Sequence, residues 1–561
     1  MSSRLHRLFP FLTWPRPRGE LLRGEALAGL TVGLMVIPQG VAYAALAGMP
    51  LITGIYASML PALVAVLFSA SHRLSVGPTA LSCLLIGASL TGLAEPGSAR
   101  WIELAVWLAL LSGLLQVALG FMRFGWLLNL VNAPVLMAFT QAAAVLIIGS
   151  QLPALLGFGS WDRFLAQPRI DAASAAFGLG SLAVLMLARR WRPGFPTVLL
   201  VVVASSALSA WTGFAAAGGA VIGALPQGLP DLYAPSWPGW ATLAQLLLPT
   251  LVITLVSFLE TASSAKVDNE RQGQRWDQDQ DLIGQGLAKI ASGLTGAFPT
   301  SSSFSRSALN LYAGARTGWA TVVSVVMVLL ALLLFTPLLR HVPQAVLAAI
   351  VLVAVLGLIK PREFTRLWSI SRVETVTAGM TFAVTLLAAP RLYWGVLAGV
   401  LMALSHFLYQ RLHPRIIEVG QHPDGSLRDR HLWHLRPLAP RTYALRMDAA
   451  LDFATANAFE RAIVEHLSTH PEVRHVCLFA QPINRIDATG VEVFLKLGAQ
   501  LVQRSIVLHI SGLKLPVEHL LRRAGALPDG PHLRMYRTDA DCLLALIRLE
   551  ESPADLAAAM I

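Results

Sequence analysis

From about Glu25 to Gln410 one apolar segment follows another, with only short polar breaks between them. Such segments, near the roughly 20 residues that cross a hydrocarbon core, constrain the chain to a polytopic α-helical membrane protein. Composition agrees, since 55% of the 561 residues are hydrophobic and only 13% are charged. An ordinary soluble enzyme is excluded. The expected spans are 25–46, 50–70, 76–92, 102–122, 126–149, 171–188, 194–213, 241–265, 281–297, 300–314, 317–336, 343–359, 372–388 and 391–411, fourteen in all. The third and tenth are expected to be broken or half-length.

The loop charges fix an orientation. With the basic N-terminal segment 1–24 in the cytoplasm, Arg189, Arg190 and Arg192 fall inside after span six. Lys266, Arg271 and Arg275 follow span eight, Lys360, Arg362, Arg366 and Arg372 follow span twelve, and Arg411 and Arg415 follow span fourteen. The loop from Trp211 to Trp240 carries no Lys or Arg and falls outside. One orientation satisfies every loop, as an even number of spans requires. The net charge of +11 is therefore assigned to membrane topology rather than to nucleic acid, for which no motif is present. The N-terminus lacks an apolar stretch with a cleavage site and is not read as a removable signal. The reading places the chain in a cell (inner) membrane, with the N-terminus and the C-terminal domain cytoplasmic.

Past the transport domain, 25–411, the composition changes. Residues 412–440 read as a polar linker, and 441–561 as a small α/β domain. Candidate strands are 442–447, 473–479, 506–510 and 533–536; candidate helices are 455–468, 490–504, 516–524 and 539–549. Alternating strands and helices imply a sheet covered by helices. Cys83, Cys477 and Cys542 are widely scattered, with neither disulfide nor metal spacing.

Polar groups inside apolar spans are the functional candidates. Pro299 opens the hydroxyl-rich run Thr300-Ser301-Ser302-Ser303-Phe304-Ser305-Arg306. A proline-led helix start with unpaired N–H groups is a ready anion site. A second such start is Pro78-Thr79-Ala80. Gln39 precedes Pro78 by 39 residues, and Glu260 precedes Pro299 by 39, so a shift of 221 aligns span one with eight and span three with ten. Two seven-span halves run in opposite senses, the inverted repeat of transporters. At that shift Arg306 aligns with Leu85. Two helix ends of roughly +0.5 each and one arginine give a field near +2, suited to a divalent oxyanion without excluding a monovalent one.

These residues resemble the SulP family of anion transporters, the sulfate permease group. The resemblance covers nearly the whole chain through IPQGVAYAALAG (37–48), LSVGPTALS (74–82), LIGQGLAKIASGLTGAFPTSSSFSRSALN (282–310), AGARTG (313–318) and VPQAVLAAIV (342–351). The C-terminal domain resembles a STAS domain. The resemblance implies a seven-plus-seven inverted-repeat domain with core and gate parts, an elevator-like alternating-access cycle and a homodimer. It leaves the anion open among sulfate, bicarbonate, chloride, oxalate and dicarboxylates. Three positions depart from the family pattern. Lys289 stands where Asn is common, Ser302 where glycine is usual, and Ala488 where related regulatory domains carry a phosphorylatable serine. Switching by phosphorylation at Ala488 is not expected.

The substrate-binding candidates are Gln39, Tyr43, Pro78, Thr79, Ala80, Ser302, Ser303, Phe304, Ser305 and Arg306. Ser303, Ser305 and the N–H groups after Pro299 would hold the anion, Arg306 would supply charge, Gln39 a hydrogen bond and Tyr43 a wall. Phe139 reads as packing rather than pocket wall. Glu260 is the candidate proton-coupling acid; its bland alternative is a carboxylate at the cytoplasmic edge near Lys266. The acidic loop with Asp268, Asp277, Asp279 and Asp281 reads as solvated. No nucleophile–base pair, metal cluster or phosphate loop is evident, so neither enzyme chemistry, cofactor nor metal is expected. The leading function is sulfate–proton symport. The alternatives are sodium-coupled bicarbonate transport, proton-coupled dicarboxylate transport, and a membrane-anchored STAS scaffold.

Overall fold

The computed structural model describes residues 9–550 except 131, 159–160, 192–196, 225, 227 and 336–338. Arg192, residues 1–8 and 551–561, and the edges of the spans expected at 194–213 and 317–336 lie outside the described residues. The chain divides into two compact units, one ending at Ala403 and one beginning at Leu404.

In the first unit come α1 (Gly19–Leu46), α2 (Leu60–Phe68), β1 (Val76–Gly77), α3 (Ala80–Leu90), α4 (Ala99–Phe121), α5 (Ala133–Leu156), α6 (Ala172–Trp191) and α7 (Thr197–Thr212). Then follow α8 (Trp240–Gln272), α9 (Gln278–Leu294), β2 (Ser301–Ser302), α10 (Phe304–Tyr312), α11 (Trp319–Leu330), α12 (Gln344–Leu356), α13 (Pro361–Ile370), α14 (Arg372–Leu387) and α15 (Tyr393–Leu412). Among the described residues six helices are long and apolar enough to cross a hydrocarbon core, and shorter apolar helices accompany them. The third and tenth expected spans are short, as their sequences suggest: α3 has 11 residues and α10 has 9.

The same order of two helices, a two-residue strand and a short helix opens each half. The strands pair antiparallel, Val76 with Ser302 and Gly77 with Ser301. Thr79 caps α3 and Ser303 caps α10. These caps are 224 residues apart (303 − 79), three more than the shift that aligns Gln39 with Glu260. At 224, Gly77 pairs with its own counterpart Ser301, as on a local two-fold axis. Pro78 immediately precedes its cap, whereas Pro299 precedes β2 and stands five residues before α10. Pro299 therefore opens the strand rather than the helix, and Arg306 corresponds to Ser82, not Leu85.

Close backbone packing holds α9 against α4. A Cβ on Gly113 would come 2.7 Å from the Gly286 carbonyl, and one on Gly286 would come 2.6 Å from the Gly113 carbonyl. Only glycine at both positions permits this approach. The expected solvated acidic loop is instead tied down in part. Asp281 is buried and accepts from Ser71 N at 2.9 Å, Ser71 Oγ at 2.6 Å and Trp276 Nε1 at 2.6 Å. Asp268 is buried in an ion pair with Arg73.

The second unit is a six-stranded sheet: β3 (Ile416–Gln421), β4 (Leu427–Asp429), β5 (Thr442–Met447), β6 (His475–Phe479), β7 (Val507–Ser511) and β8 (Leu533–Tyr536). The order is β4-β3-β5-β6-β7-β8, with β5 to β8 parallel and β3 antiparallel to both neighbours. Its helices are α16 (Ala456–Thr469), α17 (Ala488–Gln503), α18 (Leu515–Arg523) and α19 (Asp539–Glu550). The segment read as a linker thus supplies two strands. Its apolar residues Ile417 and Val419 are two apart and both bury, the period of a strand packed on one face.

Candidate functional site

The site is built where β1 and β2 cross and their short helices begin. Ser303 N donates to the Ser75 carbonyl at 2.9 Å, and Ser75 N donates to Ser307 Oγ at 3.0 Å. Thr79 accepts from Ser82 N at 3.3 Å, and Ser303 from Arg306 N at 3.5 Å. These caps satisfy part of the helix-end N–H set.

Arg306 is on α10 but reaches across to the other half. Its Nε donates to Ser75 Oγ at 3.3 Å and its Nη1 to the Pro78 carbonyl at 2.8 Å. The side chain is only 1% exposed, and Nη2 has no protein partner. Gly77 permits the approach, since a Cβ there would lie 3.3 Å from Nη2. An arginine at the membrane interface would turn its head outward to water, whereas this guanidinium is buried and bonded inward to Ser75 and Pro78 of the first half.

Thr300 Oγ1 and Ser302 Oγ, beside and in β2, and Gln39 Oε1 on α1 are also buried without a protein partner. An unpaired buried polar group costs about 1–3 kcal/mol, so several in one place mark a binding region. Glu260, on α8, accepts from Thr79 Oγ1 at 3.1 Å and Ser82 Oγ at 3.2 Å. It faces the start of α3 rather than lying alone at an edge. Tyr43 is buried within electrostatic range of Arg306 and Glu260. Pro78, Thr79 and Ala80 are buried, and the Pro78 carbonyl accepts from Arg306 Nη1. Ser305 and Phe304 are exposed, Phe304 by 58%. Phe139 is fully buried in the core that also contains Tyr43 and Ala80.

Several contributors escape a reading by motif. Ser75 anchors Arg306, and Ser82 binds Glu260; both lie inside a quoted motif, but only the strand crossing reveals their partners. Ser301 donates to the Ser257 carbonyl at 3.2 Å, tying β2 to α8.

A model of the sulfate permease family matches residues 22–381, and a STAS domain model matches 437–541. The chain belongs to the sulfate permease family. This family member is 32% identical to probable sulfate transporter 4.2 of Arabidopsis thaliana, over 92% of this chain and 80% of that protein. It is also 32% identical to a probable sulfate transporter of Mycobacterium tuberculosis, over 90% of this chain and 92% of that one. In fold it is similar to the inward-facing murine Solute Carrier 26 family member A9 anion transporter, with TM-score 0.87 at 20% identity, covering 98% of this chain and 95% of that one. It is therefore an integral membrane anion transporter with the expected fold class, and the STAS match covers strands β5 to β8 of the sheet described above.

Proposed function

We propose that the chain carries sulfate in symport with protons, by elevator-type alternating access in a homodimer. The observation that carries the reading is the Arg306 guanidinium. It is buried, reaches from α10 in the second half to Ser75 and Pro78 of the first, and leaves Nη2, like the buried hydroxyls of Thr300 and Ser302 at β2, without a protein partner. Two half-helix starts add partial positive charge from opposite sides. Gln39 can turn its amide to donate, since the two ends of that group exchange by a half-turn. Ser303 and the helix-start N–H groups of Ala80 and Phe304 complete the candidate ligand set, and Tyr43 walls it.

Glu260 supplies the coupling. An anion arriving near its carboxylate repels it, so proton uptake by Glu260 and anion binding favour each other. Once protonated, the carboxyl donates a hydrogen bond instead of adding a second negative charge. Sulfate carriage is supported by the names of the 32% identical relatives. The proposed placement is multi-pass in the cell (inner) membrane, with the N-terminus and the STAS domain on the cytoplasmic side.

Flux into proteoliposomes tests the reading. Radiolabelled sulfate should accumulate against its gradient when an inward proton gradient is imposed. Accumulation of bicarbonate driven by sodium, or of fumarate driven by protons, with sulfate left behind would replace the substrate. Failure of all three to move would end the transporter reading.

A further inference from the structure

A second buried cation lies behind the site. Lys289, on α9, is fully buried, and its Nζ donates to Ser257 Oγ at 2.5 Å. Ser257 is a junction: its Oγ also accepts from Gln116 Nε2 at 3.0 Å, and its carbonyl accepts from Ser301 of β2. Ser257 and Glu260 are three apart on α8 and so share a face. Glu260 and Lys289 interact electrostatically. Packed against α9, α4 contributes the neutral Gln116 and α2 has no charged residue. Lys289 therefore has Glu260 as its facing charge, and no acceptor is bonded to it other than a serine hydroxyl among the described residues.

A buried ammonium is costly without compensation. With Glu260 ionised, Arg306 and Glu260 alone would cancel. Lys289 leaves one net positive charge on the side chains. We infer that Lys289 is a resident charge of the anion site, offsetting Glu260 so that doubly charged oxyanions are favoured while Glu260 is ionised. The inference rests on the anion site proposed above and assigns Lys289 a specificity role through charge, without contact to the anion.

Coulomb energy scales with ligand charge, so losing Lys289 should cost a divalent anion about the square of the factor lost by a monovalent one. Equilibrium binding of radiolabelled sulfate to the purified full-length protein at pH 6.5, with nitrate as competitor, reads both factors. In Lys289→Met, nitrate affinity should fall about tenfold and sulfate affinity about a hundredfold. The double variant Lys289→Met/Glu260→Gln regains the original charge balance and should recover most of the sulfate loss. Equal losses for the two anions, no loss, or no recovery in the double variant would overturn the inference. Lys289→Gln, which keeps a donor for Ser257, replaces Lys289→Met if that protein does not fold. If the wild-type chain binds no sulfate, the sulfate reading fails, and the same two factors are measured with fumarate against bicarbonate. If it binds none of these anions, both readings fall.

Discussion

Arg306 does two jobs with one side chain. Nε and Nη1 hold the ends of β1 together with α10, and Nη2 is left for a ligand. Arg306→Ala should therefore weaken sulfate binding by about 100-fold, the cost of one charge-assisted contact and its field. Equilibrium binding measures it; wild-type affinity in that variant would remove Arg306 from the site. In the second unit, His509 is fully buried between His475 and Tyr536, with ring contacts of 3.2 and 3.1 Å. Burial, then the neighbouring His475 and Arg534, pushes its imidazole down to about 4. Its usual value is about 6.5, so below that pH the unfolded chain binds a proton that the fold refuses. Stability should fall as pH drops from 7 towards 4, by up to about 3 kcal/mol. Hydrogen exchange along β7 in the full-length protein should register this, and His509→Gln should flatten the dependence. The chemical identity of such residues is legible in a sequence. Their partners are not: Ser75 to Arg306 spans 231 positions and Ser82 to Glu260 spans 178, and no local pattern encodes such pairings.

Elements were legible wherever periodicity or length carried them, as in the short third and tenth spans and the parallel strands of the STAS domain. Two errors share a cause. Read from sequence alone, Pro299 starts α10 and 412–440 is a linker, because proline and polar residues punctuate most chains. In each case a strand pairing decided the conformation, and pairing is non-local. The cap on α11 is equally remote. Glu25, on α1 and fully buried, accepts from Arg316 N at 2.9 Å, Thr317 N at 2.8 Å and Ala320 N at 2.8 Å. It satisfies the donors at the start of a helix in the other half of the repeat, where an acid also matches the helix dipole. Glu25→Ala should strip three N–H groups of their acceptor, those of Thr317 and Ala320 buried, and cost about 2–3 kcal/mol. Thermal unfolding of the purified protein should show a clear drop in midpoint. An unchanged midpoint would mean that water replaces the carboxylate without loss.

At the scale of the whole molecule the question is how a bound anion is tied to a driving ion. The two halves meet at a strand pair only two residues long on each side, and the contacts of Arg306 and Glu260 cross between the halves there. Arg306 reaches from the second half to Pro78 in the first, and Glu260 from the second half to Thr79 and Ser82. In the proposed cycle, a carboxylate held on the start of α3 would sense an anion bound between α3 and α10, because both would use the same helix end. Coupling then requires only that Glu260 change charge as the site loads and unloads. Glu260→Gln keeps an acceptor for Thr79 and Ser82 while removing that change. The variant should still exchange internal for external sulfate, since exchange needs no net proton movement. It should fail to concentrate sulfate when a proton gradient is imposed. Parallel exchange and uptake assays in the same proteoliposomes separate the two outcomes. Undiminished proton-driven accumulation by Glu260→Gln would move the coupling role to another group, whereas loss of both exchange and uptake would make Glu260 a binding residue.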